Sequence, residues 1–597
     1  MYDPQIFERG QTHLVINQNI AYRRVLVIQG TPFNRPTMSA YQSISVAKND
    51  DDTEGPDNWG VENANANGDG AIPPSSLLRP DDSKAASCLP PLHLDASTGP
   101  RWNSETDLLA GLAEHYEGEI EANGGGGVGG GGSLGGWGKA IRAIHAFRMS
   151  YYDMDDELRT MSKIGIKYVR VPVSWCWTEY DPTWLIYTND ATGELTYTTD
   201  DDVKEKFACE DPFYDGVYWP AIPRGLFTRF LRACAKYGIG ATIDLHTYPG
   251  GTSIGTFSGV WPLYSRFWTH GDVPATDDGS MPDVGRTLLK DFIAWMESLE
   301  TSDPMAFKGI RALSPMNEPA HLAGLYDGAK PILTNKKTFL PPLPPDMASG
   351  YLSELNDGLD THRNLTRVPD GNHLRVMMWL RDAIDAFRQS SLPRLGKELH
   401  VNVHESLFDS DAAPNYYAQM QVFGAWWRAS TTPLERSKWA VLDMHHYHAW
   451  GGECRGSVEG PPTGEYACSD DEAKARVFKK CADWPFAFRG AMESECEKGM
   501  RLASAEFSAA THHSVRHACN DVSTLRLMLE TQVNMSKAAD VELFFWSYKM
   551  PYGGAFRNAW SLKHLMYLLG VLPRPDEELF HCGDHIPPAG EPKDGSI

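Results

Sequence analysis

Lys167-Tyr168-Val169-Arg170-Val171-Pro172-Val173 is a β-branched run ending in a polar cluster, and it follows Asp153–Lys163, a segment with helical spacing. The same unit recurs along the chain. An amphipathic helix at 222–237 leads to Ala241-Thr242-Ile243-Asp244-Leu245-His246, and a helix at 285–300 leads to Ile310–Ser314. A helix at 373–390 leads to a strand at 399–404, and one at 414–430 leads to a strand at 438–444. A strand at 501–505, a helix at 520–538 and Val541-Glu542-Leu543-Phe544-Phe545-Trp546 complete the series. Short buried-type strands alternating with helices make a parallel sheet with helical crossovers. Seven such strands and an indistinct first repeat predict an α/β fold closed as a (β/α)₈ barrel, with an open doubly wound sheet as the alternative. No GxGxxG follows an early strand, which counts against a dinucleotide fold.

Outside this series the chain is irregular. Residues 1–47 hold one short β-like run, Arg24-Val25-Leu26-Val27-Ile28. Residues 49–91 are rich in Asp, Asn, Gly, Pro and Ser and read as a disordered insertion, and the glycine tract at 124–136 reads as too flexible to hold structure. The expected organisation is an N-terminal region (1–137), a barrel (138–582) and a tail (583–597). Segments 325–371 and 451–500 are long for connections in a compact barrel and are expected to shape its mouth.

A length of 597 residues accommodates a barrel of about 250–400 residues with sizeable insertions. The net charge of -23 argues against nucleic acid or an anionic membrane as partner, since both attract basic surfaces. No apolar run reaches the roughly 18 residues that span a bilayer. The 18 Trp and 24 Tyr suit a sugar binder, because sugar C–H faces stack on aromatic planes, but aromatic-rich cores are common too. The ten Cys include no CxxC pair, so zinc and thioredoxin-type readings lack support. Cys454, Cys468, Cys481 and Cys496 share one loop-rich stretch; disulfides in an oxidising compartment and free thiols in a reducing one both fit. The N-terminus, MYDPQIFERGQ, lacks the basic and apolar regions of a signal peptide.

Almost every strand ends in polar or aromatic residues: Arg170, His246, Asn317-Glu318, His404-Glu405, His445 with Tyr447, Glu506 and Trp546. In a (β/α)₈ barrel these ends converge on one mouth. Two carboxylates brought there from different strands are what retaining glycoside hydrolysis needs. One gives a proton to the leaving oxygen; the other, ionised, attacks the anomeric carbon. Glu318, beside Asn317, suits the acid/base, and Glu506 suits the nucleophile, with Arg170 and Tyr447 as partners that favour its anion. His445-His446 with His448, and His512-His513, resemble metal clusters only by count, so no metal or organic cofactor is expected.

The motifs RVPVSWCW (170–177), IDLHTYPGG (243–251), LSPMNEP (313–319), LDMHHYHAW (442–450), ASAEFSAA (503–510) and FFWSYK (544–549) resemble glycoside hydrolase family 5, and within it the fungal-type exo-β-1,3-glucanases. The resemblance covers about residues 138–582. It implies Glu318 as acid/base, Glu506 as nucleophile, and Arg170, His246, Asn317, His445, Tyr447 and Trp546 as substrate-site residues. It also implies an aromatic pair at the entrance, Phe257 and Trp450, a disulfide between Cys481 and Cys582, and a secreted monomer that acts on β-glucan. Endo-β-glucanase, mannanase, glycolipid β-glucosidase, transglycosylase and an inactive glucan-binding barrel remain the alternatives. One departure concerns Ser258, where the branch carries an acidic residue. Another concerns the first strand: Met1–Glu8 reads as sequence downstream of it, so that strand is expected to be missing, and Leu134-Gly135-Gly136-Trp137 is read as a chance match to its Gly-Gly-Trp segment.

Overall fold

The computed structural model describes residues 12–15, 104–122, 134–152, 154–188, 195–252, 259–260, 266–268, 283–319, 371–403, 416–450, 454–461, 463–511, 519, 521–549 and 558–573. Within them lie β1 (Thr12–Val15), β2 (Tyr168–Ser174), β3 (Gly240–Thr247), β4 (Ile310–Ser314), β5 (Glu398–Asn402), β6 (Ala440–Asp443), β7 (Arg501–Phe507) and β8 (Val541–Phe545). Each pairs in parallel with the next in chain order, and β1 closes the barrel by pairing with both β8 and β2. The expected (β/α)₈ barrel is thus the fold. The expectation of a missing first strand is corrected: Thr12 lies opposite Leu543, and Leu14 opposite Val169. The Gly-Gly-Trp string of residues 135–137 instead opens a helix, Gly136–Tyr152.

Strand interiors are buried on both faces, as helices on the outside and side chains within the barrel require. The crossover helices turn one apolar stripe inward. In Arg224–Lys236 the buried residues are Leu226, Phe227, Phe230, Leu231 and Cys234, the spacing of one helical face. The end of the barrel where the strands begin is closed by charges. Arg311 pairs with Glu398 at 2.9 Å and Glu542 at 2.7 Å, and Arg501 with Glu398 at 2.8 Å, while the Arg311 guanidinium lies over the Tyr168 ring.

The helices Glu105–Ala122 and Gly136–Tyr152, between β1 and β2, and Asp200–Phe207, between β2 and β3, build a second, smaller core around Leu109, Leu112, Ile144 and Val203. The buried Arg148–Glu105 pair, 3.1 Å apart, ties two of these helices together. The helix read at Asp153–Lys163 runs from Asp155 to Lys163, and a separate helix ends just before it at Tyr152. Gly136 packs closely enough that a Cβ would sit 2.5 Å from the Ala113 carbonyl oxygen, so the last residue of the glycine tract is a packing position. The insertion read at 49–91 lies outside the described residues.

The 451–500 segment contains two α-helices. Trp484–Glu495, one of two α-helices described between β6 and β7, packs through Trp484, Phe488, Ala491 and Met492 on the main core. Helix Asp471–Cys481 brings Cys481 to Cys454, with a Cα separation of 5.9 Å, so the disulfide is Cys454–Cys481 and not Cys481–Cys582. Cys582 lies outside the described residues, and Cys468–Cys519 and Cys176–Cys209 are also bonded. Among the described residues no helix is long and apolar enough to cross a membrane.

Candidate active site

Strand alternation sets the site. On β3, Asp244 and His246 are two residues apart and share a face; Asp443 and His445 stand in the same relation at the end of β6. Arg170, wholly buried on β2, reaches three of the site's polar groups. Its Nη1 donates to Glu506 Oε1 at 2.5 Å, its Nη2 donates to Asn317 Oδ1 at 2.7 Å, and Nη2 lies 2.9 Å from Asp244 Oδ2. Glu506 is the penultimate residue of β7, where the register with β8 shifts between Ser504 and Phe507. Such irregularities re-aim side chains at barrel rims.

Tyr447 donates its hydroxyl to Glu506 Oε2 at 2.6 Å. His445 Nδ1 lies 2.7 Å from Glu318 Oε1 and 3.5 Å from Glu506 Oε2, so one ring bridges both carboxylates. Glu318 follows β4 in the turn Pro315-Met316-Asn317-Glu318, with φ at +40°, a left-handed conformation uncommon for a residue with a side chain. Its backbone N–H donates to Asn402 Oδ1 at 2.9 Å. Asp244 accepts from or shares a proton with His246 Nδ1, and the His246 ring stacks near the buried Trp546 at a centroid distance of 6.3 Å. The Trp546–Ser547 peptide is cis. Trp560 stands 5.2 Å, ring to ring, from Tyr447.

The electrostatics follow from burial and from these contacts. Burial pushes the Glu506 carboxyl above its ordinary range and the neighbouring Glu318 adds to it, while His445, Arg170 and Tyr447 pull it back. Burial works against charge on His445, but Glu506 and Glu318 outweigh it and raise the imidazole. Burial also drives the Tyr447 phenol well above its ordinary value, and the Glu506 carboxylate adds to that, so Tyr447 remains a donor. Asp244 is pushed up to about 7 by burial, with Arg170 opposing. His246, buried, is held well below its ordinary value and is neutral.

Of the residues singled out in the sequence, Arg170, Asn317, Glu318, His445, Tyr447 and Glu506 form one connected cluster, with His246 and Trp546 beside it. Phe257 and the side chain of Trp450 lie outside the described residues, as do His404 and Glu405. Three residues were missed: Asp244, Asn402 and Asp443. The signal was present in the sequence, since each sits two positions before a singled-out histidine, the spacing of one strand face.

One donor atom each from Glu318, His445 and Glu506 lie within 4.8 Å of one another, the spacing of a metal site. The contacts fit a proton better than a cation. His445 and Glu318 already face each other, and the Arg170 guanidinium against Glu506 repels positive charge. The same distance bounds the gap between the two carboxylates, and carboxyl groups about 5 to 5.5 Å apart leave room for a sugar carbon but none for an interposed water.

No family model matches the chain, and no curated protein does. Among solved structures the chain is similar to a GH5-4 broad specificity endoglucanase from an uncultured bacterium, at 13% identity over 67% of this chain and 79% of that one, TM-score 0.33. It is similar to an endo-1,4-β-mannanase from Rhizomucor miehei, at 10% identity over 67% and 83%, TM-score 0.31. A β-glucosidase from Thermotoga maritima in complex with glucoimidazole gives 10% identity over 67% and 78%, TM-score 0.32. With overlap this partial, the fold rests on the strand pairing and the chemistry on the side chains.

Proposed function

We propose that this chain is a retaining β-glycoside hydrolase whose substrate is a β-1,3-glucan or a related β-glucoside. The observation that carries the reading is the proximity of the Glu318 and Glu506 carboxylates, within 4.8 Å, both facing Nδ1 of His445. Inverting enzymes need about 6.5–9.5 Å between carboxyl groups to admit water, so this spacing fits double displacement.

In the first step a Glu506 oxygen attacks the anomeric carbon, the glycosidic C–O bond breaks, and Glu318 gives its proton to the departing oxygen. In the second, Glu318 takes a proton from water as that water's oxygen attacks the same carbon, and the Glu506 ester is released. Two donors aimed at Glu506, Arg170 and Tyr447, favour its anion, and Glu318, which faces His445, takes the role of proton donor. The glucan substrate is supported by the motif order from Arg170 to Trp546. Secretion as a monomer is part of the same proposal, and the three disulfides among the described residues suit an oxidising compartment.

The test is chemical. Glu506→Ala should lose hydrolysis by orders of magnitude and recover with azide, yielding an α-glycosyl azide. Recovery as a β-azide would assign the nucleophile elsewhere. Glucose alone from laminarin would indicate exo-action, and a ladder of oligomers endo-action.

A further inference from the structure

The two glutamates are joined through their backbones by a pair of side chains that neither attack nor protonate. Asn402 ends β5 and Asp443 ends β6, and both are fully buried. Asn402 Oδ1 accepts the N–H of Glu318 itself at 2.9 Å. Its Nδ2 donates to Asp443 Oδ2 at 3.4 Å. The other Asp443 oxygen accepts the N–H of Ala505, the residue before Glu506, at 2.7 Å. The amide orientation is fixed by chemistry, since an N–H needs the oxygen end and a carboxylate needs the NH₂ end.

Glu318 needs such a hold. A side-chain-bearing residue at φ +40° persists only where its surroundings over-determine it, and the Asn402 bond acts directly on that residue's N–H. Asp443 Oδ2 also lies 3.9 Å from His445 Nε2, so the same bracket backs the ring that bridges the carboxylates. We infer that Asn402 and Asp443 are positioning residues that set the separation and aim of Glu318 relative to Glu506. This rests on the retaining reading above.

The experiment exchanges the pair. Asn402→Asp alone sets two carboxylates against each other, and Asp443→Asn alone sets two amides there. The double variant Asn402→Asp/Asp443→Asn restores all three hydrogen bonds with the polarity of the middle one reversed. Each variant is assayed by kcat/KM on aryl β-glucosides spanning leaving-group acidity. Each single variant should lose about 100-fold on poor leaving groups and less than about 10-fold on 2,4-dinitrophenyl glucoside, which departs without a proton. The double variant should regain at least about 10-fold on the poor ones. General damage would lower all substrates alike, and that result, or a double variant no better than the worse single, overturns the inference. A crystal structure of Asn402→Ala supplies a readout independent of activity. Glu318 should leave its left-handed φ, and finding it unmoved refutes the bracket. Wild-type protein that cleaves no aryl β-glycoside would sink the glycosidase reading and leave the bracket to be judged by that structure.

Discussion

Tyr447 points its hydroxyl at Glu506 Oε2 from 2.6 Å, on the side of the carboxylate opposite the oxygen that Arg170 holds. Each oxygen of Glu506 therefore has its own donor, and each donor favours the anion. Tyr447→Phe removes one. A hydrogen bond to a charged group contributes about 1.5–3 kcal/mol, so kcat/KM should fall about 10- to 150-fold. Losing a donor to the carboxylate raises its pKa, and the acid limb of the kcat/KM profile should move to higher pH. A pH–rate series on both proteins checks the direction.

Arg170 neutralises Glu506 and Asp244 from a fully buried position. Arg170→Met strands two carboxyl groups in the barrel and should cost about 3–5 kcal/mol of folding stability, read from denaturant midpoints. Arg170→Lys keeps the charge but not the fork that reaches Asn317 and Glu506 together. It should recover much of the stability while activity stays low.

The Cys454–Cys481 pairing is checked by peptide mapping under non-reducing conditions, which should yield one cross-linked fragment carrying both. The bond spans 27 positions, and in the chain-entropy model a loop of that size contributes about 3–4 kcal/mol. Cys454→Ser should lower stability by up to about that amount. A fragment linking Cys481 to Cys582 would contradict the structure.

Acid stability should depend on Glu398. Its burial favours the neutral form, but His400, Arg311 and Arg501 outweigh that and hold the carboxyl at about 2. A depressed folded-state pKa means stability is present in full above the unfolded value near 4.5 and is lost as pH falls toward about 2. Glu398→Gln should be less stable at pH 7 and should show a flatter decline across that window, measured by urea midpoints at successive pH values.

Much of this molecule was legible in the amino-acid order, because buried parallel strands and amphipathic crossovers have distinct periods. The residues at the barrel mouth were legible for a related reason: polar side chains ending an apolar strand are conspicuous. What failed was local. Thr12–Val15 is four residues long, and its identity as a strand comes from partners at Val169 and Leu543 that no nearby residue announces. Helix Trp484–Glu495 was hidden by the cysteines and glycines around it, although Pro485 in its first turn is a helix-start signal. Asp244, Asn402 and Asp443 were overlooked because each sits inside an apolar run, where a polar residue registers as noise unless it is read together with the residue two places on.

The long excursion between β1 and β2 bears on how the molecule assembles. Seven of the eight staves follow one another from Tyr168 to Phe545, each joined to the next by a crossover, whereas the remaining stave is tethered across residues 16–167. Bringing distant chain segments together becomes entropically harder only as the logarithm of their separation, so the detour is tolerable at equilibrium yet delays docking. Until Thr12–Val15 arrives, the facing borders of β2 and β8 carry unpaired backbone groups that would accept any extended peptide. The nascent protein is thus most vulnerable to self-association in the interval before its ring is sealed.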